Sequence, residues 1–512
     1  MTSVATDNKR IVKNTGFLFL RMLLMMGISF YSSRVLLREL GVNDYGLYGV
    51  VGGIVAMFGS LRGIFASSIQ RFLNFEMGKG AKEELNKVFS IGVVIHVILS
   101  IVFLILAETI GLWFLNNKLV IQPDRYIAAN WVFQFSVFAS IVTILTIPYD
   151  AVIIANERMK AFAYISILDA LLKLTIIFLI SYFGDDKLIF YAFLILVVSV
   201  ITRVISWGYC RKNFAESRFR YLWDKQLFKQ IGSFAGWNFF GNSAQTLSSE
   251  GVNMVLNVFG GTPVNAARSI AYQVRSAVMQ FLSNILMAVN PHMIKLYSQK
   301  KEEEFTRRLF FVSKASFFIM FVVSVPILFF SDTILSLWLV DVPDYTVVFV
   351  QLILIYLLVR SFHSPVDILF KAAGEMRNYQ IVDAVTLFLN LPLSYILLKN
   401  SYDVHYVFIV MILVEGLNLI SILYLAKRMN MIDIKAYFLK VILPCMWVTI
   451  VCLPFCYYLT HTYSSSVLLY QFGVMIVVFL INVLGAVTVG LDRNEKRMLY
   501  QAAKCVKTKL FK

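Results

Sequence analysis

IAANWVFQFSVFASIVTILTIPYDAV, residues 127–152, holds one charged side chain, Asp150, in 26 positions. About 20 apolar residues in helical form cross a bilayer's hydrocarbon core, so this stretch reads as a membrane-spanning helix. Comparable apolar segments lie on both sides of it, near 12–38, 44–75, 88–115, 160–183, 188–210, 230–259, 263–292, 308–330, 345–371, 379–399, 404–426, 436–460 and 465–490. Of the 512 residues, 59% are hydrophobic and 15% charged, whereas a soluble chain carries about 25% charged residues. A string of soluble domains is therefore excluded. The gaps between segments are too short for a separate catalytic domain. The expected architecture is an all-α polytopic membrane protein of about fourteen transmembrane helices, with twelve and one misread pair as the alternative.

The end of the quoted stretch recurs. Pro148-Tyr149-Asp150, Ala155-Asn156-Glu157 and Asp169-Ala170 return as Pro365-Val366-Asp367, Ala373-Gly374-Glu375 and Asp383-Ala384, with an indel before the last pair. Glu108-Thr109-Ile110 before Trp113 returns as Asp332-Thr333-Ile334 before Trp338. Both echoes imply an offset near 220 residues, or six spans. An even number of spans per repeat gives both copies the same orientation, so two six-helix bundles are expected, related by a pseudo-two-fold along the membrane normal. The expected domains are 1–215, 216–430, an added pair of helices over 431–490 and a basic tail over 491–512.

Net charge is 47 − 30 = +17. In a soluble chain this would suggest nucleic acid; here the lysines and arginines concentrate in alternate gaps, which is the signature of topology. The richer gaps include Lys9, Arg10, Lys79, Lys82, Arg211, Lys212, Lys300, Arg307, Lys427 and the tail, against Lys118, Arg125, Lys187 and Lys399 in the others. Both termini are expected to be cytoplasmic. MTSVATDNKR is not followed by the short apolar stretch and small-residue site of a cleavable leader. In the tail from Arg493 to Lys512, basic residues interleave with Met498, Leu499, Val506, Leu510 and Phe511, which predicts an amphipathic interfacial helix. No P-loop, HExxH or GxSxG motif occurs, the five cysteines lack metal-ligand spacing, and the histidines are scattered. No enzyme activity, cofactor or metal is expected.

Polar side chains inside spans are costly unless they face water or a partner. The seventh span carries Asn238, Asn242, Gln245, Ser249, Asn253 and Asn257 at helical spacing, flanked by Glu250. The eighth carries Asn265, Ser269, Gln273, Ser276, Gln280 and Asn284, with Arg268, Tyr272 and Arg275 beside them. So many amides and hydroxyls predict the wall of a water-filled cavity, although single polar contacts between helices would serve as packing glue. On the first span, Gly27, Tyr31, Arg34 and Arg38 share a face, and on the second, Tyr48, Gly52, Gly59 and Arg62 do so. The glycines there are read as allowing close helix packing. Snorkelling to the interface is the alternative for Arg34 and Arg38. Arg34, Arg38, Arg62, Arg268 and Arg275 against the single acid Glu250 favour an anionic cargo, because guanidinium forks match phosphate oxygens. Substrate-binding candidates are these arginines with Asn238, Asn242, Gln245, Asn253 and Tyr272. Asp169 and Asp383, equivalent in the repeat, and Glu250 are candidates for ion coupling; a structural role for the two aspartates, as near Lys173, is the alternative.

RVLLRELGVNDYGLYGVVGG (34–53) and QRFLNFEMGKG (70–80) carry a resemblance. Together with the six-plus-six repeat, they make the chain similar to bacterial O-antigen and capsular polysaccharide flippases. That family sits within the multidrug/oligosaccharidyl-lipid/polysaccharide exporter superfamily, which also holds the MATE-type transporters. The resemblance implies a flippase that moves undecaprenyl-pyrophosphate-linked oligosaccharide from the cytoplasmic to the periplasmic leaflet. It implies alternating access through a cationic central cavity, coupled to H+ or Na+ or to membrane potential. It further implies residence in the bacterial inner membrane among lipids, as a monomer, with association with polysaccharide polymerase machinery as a further implied partner. A lipid II flippase and a MATE-type drug/cation antiporter are the alternatives. The motifs leave the glycan open.

Overall fold

The computed structural model describes residues 2–59, 69, 72–73, 82–156, 158–182, 185–220, 224–299, 301–373, 375–463 and 467–496. Arg62, Glu157 and the tail from Arg497 lie outside them, and of Asn238, Asn242 and Asn284 only the helical backbone is described. The tail helix expected on sequence grounds therefore falls largely outside the described residues.

Every element among the described residues is helical. Ten helices among the described residues are long and apolar enough to cross a membrane. They are α2 (Glu83–Asn117), α3 (Pro123–Ala155), α4 (Lys160–Ile180), α5 (Lys187–Asn213), α7 (Glu302–Phe329), α9 (Thr346–Ala373), α10 (Met376–Lys399), α11 (Tyr406–Arg428), α12 (Ile434–Thr462) and α13 (Leu468–Gly490). Two longer helices are α1 (Thr2–Gly59), which holds the first apolar segment and residues 44–59 of the second, and α6 (Lys225–Ser298), which holds the seventh and eighth. The expected gap at 331–344 contains a further short helix, α8 (Ser331–Trp338).

Both long helices break at a glycine. Gly41 takes φ 75, ψ 171 and Gly261 takes φ 70, ψ −173, a conformation open to glycine and costly for residues with a Cβ. The two breaks are 261 − 41 = 220 residues apart, the offset of the sequence echoes. Pro148 and Pro365, the first residues of the echoed motif, both lie inside helices, α3 and α9.

Packing divides the chain into two compact units, Met1–Ser269 with Trp338–Asp344, and Ile270–Leu337 with Tyr345–Lys512. In the first, Val50, Val51 and Ile54 of α1 pack with Phe103, Val132, Phe133 and Val137 of α2 and α3. In the second, one cluster joins Leu309, Phe370, Ile422 and Tyr437. Another joins Phe317 and Phe321 to Cys445, Cys452, Cys456 and Val478, which places these cysteines on the packing face of α12. Polarity runs inside out relative to a soluble protein. On α11, Leu413, Leu417, Ile420 and Tyr424 face outward while Glu415 and Asn418 are fully buried. An apolar exterior with polar groups turned inward is what a hydrocarbon solvent selects.

The closest approach in the first unit depends on small residues. A Cβ at Gly46 would lie 1.9 Å from the Thr262 carbonyl oxygen, at Gly49 2.5 Å from Ser269 Oγ, and at Gly53 2.6 Å from both Asn253 Nδ2 and Glu250 Oε2. These three glycines, spaced three and four apart, let α1 and α6 touch at backbone level, as small residues do between membrane helices. Gly52, between them in sequence, meets nothing within 4 Å. Gly46→Ala must push a carbonyl-bearing turn away and should cost about 1–3 kcal/mol, the usual range for overpacking. Thermal unfolding of purified protein should show a clear loss of stability for Gly46→Ala and little change for Gly52→Ala; equal behaviour would remove the close-packing role.

Candidate functional site

In the first unit the polar stripe divides into a buried and an exposed part. Near the Gly261 break, Asn253, Asn257 and Asn265 are at most 1% exposed. Asn265 Nδ2 donates to the Asn253 carbonyl (2.9 Å) and to Asn253 Oδ1 (2.8 Å), while Asn257 Nδ2 donates to Asn265 Oδ1 (2.8 Å). Asn257 Oδ1 accepts from the Val120 backbone N–H at 2.9 Å. Asn253 Nδ2 donates to Glu250 Oε2 at 3.2 Å. These amides join the two arms of α6 to each other and to the loop after α2. Asn253, expected on a cavity wall, is thus engaged in an interhelical network. Arg268 is also buried. Its Nη2 donates to the Ser249 carbonyl (2.7 Å) and to Ser249 Oγ (3.2 Å), and its Nη1 lies 3.9 Å from Glu250 Oε2. Glu250 therefore sits between an arginine and an amide. Gln245 is exposed.

Gly27, Tyr31, Arg34 and Arg38 are all exposed, while Val35, Leu36 and Leu37 are buried. The face expected from their spacing exists, turned away from the core of the unit. Arg38 pairs with Glu39 at 2.9 Å, and Glu39 also accepts from Lys187 Nζ at 2.9 Å. That hydrogen bond from Lys187, with a smaller one from Arg38, holds the Glu39 carboxyl below the usual carboxylate range. Asp169 pairs with Lys173 one helical turn on, at 2.8 Å.

In the second unit, the arm of α6 after Ser269 presents Tyr272 and Arg275, with Ser276 and Gln280 exposed beside them. The Arg275 guanidinium lies 5.0 Å from the Tyr272 ring centre and 5.3 Å from that of Tyr356. Tyr272 Oη is 3.9 Å from Met411 Sδ. Tyr356 begins a charged cluster on three helices. Its hydroxyl donates to Glu415 Oε2 at 3.3 Å, and Arg360 Nη1 donates to Glu415 Oε1 at 3.0 Å. His363 Nδ1 lies 2.9 Å from Glu415 Oε1 and its Nε2 lies 2.8 Å from Tyr379 Oη and 3.6 Å from Asp383 Oδ1. Asn418 Nδ2 donates to Asp383 Oδ1 at 2.7 Å. Asp383 and Asp169, expected from sequence to be equivalent, therefore keep different company.

Sequence reading named Asp383 and missed Arg360, His363 and Glu415. The signal was available: Tyr356, Arg360 and His363 are spaced four and three on α9, Tyr379 and Asp383 four on α10, and Glu415 and Asn418 three on α11. Treating histidines as scattered along the chain hid one that helix spacing places among charges. Among the described residues, no group of three or more His, Cys, Asp or Glu could hold a metal ion.

A family model described as polysaccharide biosynthesis protein matches residues 11–297, and the MatE model matches residues 239–396. The fold is similar to that of a multidrug resistance MATE family transporter of the MOP superfamily in its inward-facing conformation, at 15% identity, covering 80% of this chain and 94% of that one, with a TM-score of 0.67. It is also similar to the lipid II flippase MurJ in an inward closed conformation, at 14% identity over 91% and 98% of the two chains, TM-score 0.69. A MOP superfamily transporter from Pyrococcus furiosus, described by a reverse polarity of its binding pocket, aligns at 14% identity over 82% and 94%, TM-score 0.58. No curated protein matches by sequence. Identities this low establish a shared fold and leave substrate open.

The amide network makes a separable prediction. Asn265→Leu removes the partner of Asn253 and Asn257 and leaves buried amides unsatisfied, at a cost of roughly 1–3 kcal/mol. Thermal stability and membrane abundance should fall for Asn265→Leu and hold for Gln245→Leu, which replaces an exposed amide. Unchanged stability in Asn265→Leu would show that the network is not needed to hold the bend.

Proposed function

The chain belongs to the polysaccharide biosynthesis protein family, and from that premise we propose that it flips a lipid-linked oligosaccharide between membrane leaflets. It is a multi-pass membrane protein with the fold of MOP superfamily transporters. The proposed cargo is an undecaprenyl-pyrophosphate-linked repeat unit of O-antigen or capsule. It moves from the cytoplasmic to the periplasmic leaflet by alternating access through a cationic central cavity. The chain is then placed in a bacterial inner membrane with both termini cytoplasmic.

The observation that carries this reading is the setting of Arg275. Its guanidinium is held over the rings of Tyr272 and Tyr356, and no described ion pair includes it. Stacking uses the flat face of a guanidinium and leaves its N–H edge to donate to phosphate oxygens, bidentately. Arg268, in contrast, spends its donors on Ser249 and leans on Glu250. In this reading it positions α6 and does not touch cargo, as does Asn253. In the first unit Arg34, Arg38, Arg62, Asn238, Asn242 and Gln245, and in the second Tyr272, are the further residues proposed to meet pyrophosphate and sugar.

Complementation of a flippase-deficient strain tests the proposal, scored for surface polysaccharide alongside the level of the protein in membranes. Arg275→Ala should cut export at least about tenfold at normal abundance, because a charge-assisted fork contributes more than 1.4 kcal/mol. Arg275→Lys should restore part of it, keeping charge without the fork. Full export by the Arg62→Ala/Arg275→Ala double variant at normal abundance would overturn the anion-binding role. Rescue of a strain depleted of its lipid II flippase, with no rescue of surface polysaccharide, would move the cargo to lipid II.

A further inference from the structure

The second unit also holds a cavity of about 710 Å³, apart from Arg275 and from the charged cluster around Glu415. It lies where the first turns of α7 and α12 meet the last turn of α13 and the residues after it, and α7 packs against both of those helices. The α7 wall carries Glu302, Glu303 and Arg307, with Lys314 deeper on the same helix. Lys440 of α12 and Asp492 and Glu495 after α13 face them. The remaining wall is apolar, with Phe310, Pro444 and Val489.

The deep end of the cavity is satisfied from within. Lys314, its side chain 5% exposed, pairs with Glu495 at 2.5 Å. Asp492 and Glu495 each accept the backbone N–H of the other. The shallower charges differ. Arg307 and Lys440 are exposed, as are Glu302 and Glu303, and no described hydrogen bond or ion pair includes any of the four. Arg308, next to Arg307 in sequence, shows the contrast: it pairs with Glu304 one turn back at 2.9 Å. One space is thus lined by two uncommitted cations from different helices and two uncommitted carboxylates nearer its mouth.

Helix length places these charges relative to a bilayer. α7 has 28 residues, which at about 1.5 Å each makes ~42 Å, against about 30 Å of hydrocarbon. About 12 Å must stand outside the hydrocarbon, and the run of Glu302, Glu303, Glu304, Arg307 and Arg308 puts that overhang at the helix start. Arg307 lies five residues into α7 and Lys440 six residues into α12, about 8 and 9 Å from the two starts. Both cations therefore sit at the level of lipid phosphates, with Phe310 just below at the level of the chains. The backbone is also irregular at this place. α12 makes a π-helical turn over Phe438–Ile442, around Lys440, and α13 ends in another over Ala486–Gly490, beside the cavity at Val489. Such turns are rare and collect at functional sites.

We propose that this cavity binds an aminophospholipid, its phosphate between Arg307 and Lys440, its amine towards Glu302 and Glu303, and the glycerol end of its chains on Phe310, Pro444 and Val489. A guanidinium and an ammonium from two helices suit the two free oxygens of a phosphate diester. The carboxylates at the mouth favour a headgroup that also carries a positive charge, and oppose one that is anionic throughout. The site shares no residue with the proposed cargo surface and needs only that α7, α12 and α13 span a bilayer.

Native mass spectrometry of the full chain in detergent micelles tests this, with dioleoyl-phosphatidylethanolamine, dioleoyl-phosphatidylglycerol and dioleoylglycerol as probes. The ethanolamine lipid should be retained most tightly and dioleoylglycerol least. Arg307→Gln/Lys440→Gln should weaken the ethanolamine lipid at least about tenfold, since two charge-assisted contacts are lost. Glu302→Gln/Glu303→Gln should turn the preference towards phosphatidylglycerol, and Lys212→Gln, an exposed basic position on α5 of the first unit, should change neither. All of the replaced side chains are exposed, so lipid-free thermal unfolding should match the unmodified chain; the rise in unfolding temperature on adding the ethanolamine lipid should vanish in Arg307→Gln/Lys440→Gln. Undiminished binding by that double variant, or equal retention of dioleoylglycerol, would overturn the site. A preference for phosphatidylglycerol in the unmodified chain would overturn the amine assignment, and displacement of bound lipid by millimolar inorganic phosphate would overturn the lipid assignment in favour of a soluble phosphate. None of these readouts involves export, so their failure leaves the flippase reading standing, and failure of complementation leaves this site standing.

Discussion

Hydrocarbon offers no hydrogen bonds, so a buried amide or charge within a spanning helix of this chain is stabilised by a partner in protein, and much of the local structure follows from that requirement. Around Gly261, three asparagines satisfy one another and the Val120 N–H. In the second unit, Glu415 collects Tyr356, Arg360 and His363. Each arrangement demands that helices approach within reach of short side chains. In the first unit Gly46, Gly49 and Gly53 make the approach possible, because a Cβ at any of them would meet α6 at 2.6 Å or less. Small residues and buried amides are thus two halves of one device: the former bring backbones together, the latter bind them once there.

The two bends belong to the same logic. A helix that turns sharply exposes carbonyl and N–H groups that the bilayer cannot satisfy. Gly41 and Gly261 change direction within a single residue at positive φ, and side chains beside the two bends pair with each other, Thr262 Oγ1 donating to Asn43 Oδ1 at 3.2 Å. That both bends fall 220 residues apart ties the backbone to the echoes in sequence. Short motifs such as Pro148-Tyr149-Asp150 are weak witnesses by themselves. A conformational break recurring at the same offset is independent of them, since Gly41 and Gly261 lie in neither echoed motif.

Much of the fold was legible because hydropathy in membranes is a one-dimensional signal. A run of about 20 apolar residues has few alternatives to spanning, and among the described residues the segments read from sequence coincide with helices. Helical spacing was equally reliable for faces: Gly27, Tyr31, Arg34 and Arg38 do share an exposed one. What spacing could not supply was the occupant opposite each face. The stripe of α6 was continuous in sequence, yet Asn253, Asn257 and Asn265 meet one another whereas Gln245, Ser276 and Gln280 remain exposed. The difference lies in a bend whose partner, the glycine face of α1, is some 200 residues away in sequence. Glu415 went unread for a related reason. A single carboxylate in an apolar segment acquires meaning when Arg360 and His363, on another helix, are known to face it.

Charge balance then has to be counted by neighbourhood, not by chain. Five arginines against one acid looked like a uniformly cationic interior, but Arg268 has Glu250 within 3.9 Å and Arg38 has Glu39 at 2.9 Å. Arg360 is matched by Glu415. Each such pair is close to neutral at a distance and contributes little attraction for a diffusing anion. Arg275 differs because its neighbours are ring faces, which stabilise a cation without cancelling its charge. Charge in each unit is therefore compensated pair by pair, with Arg275 beside aromatic rings as the contrast.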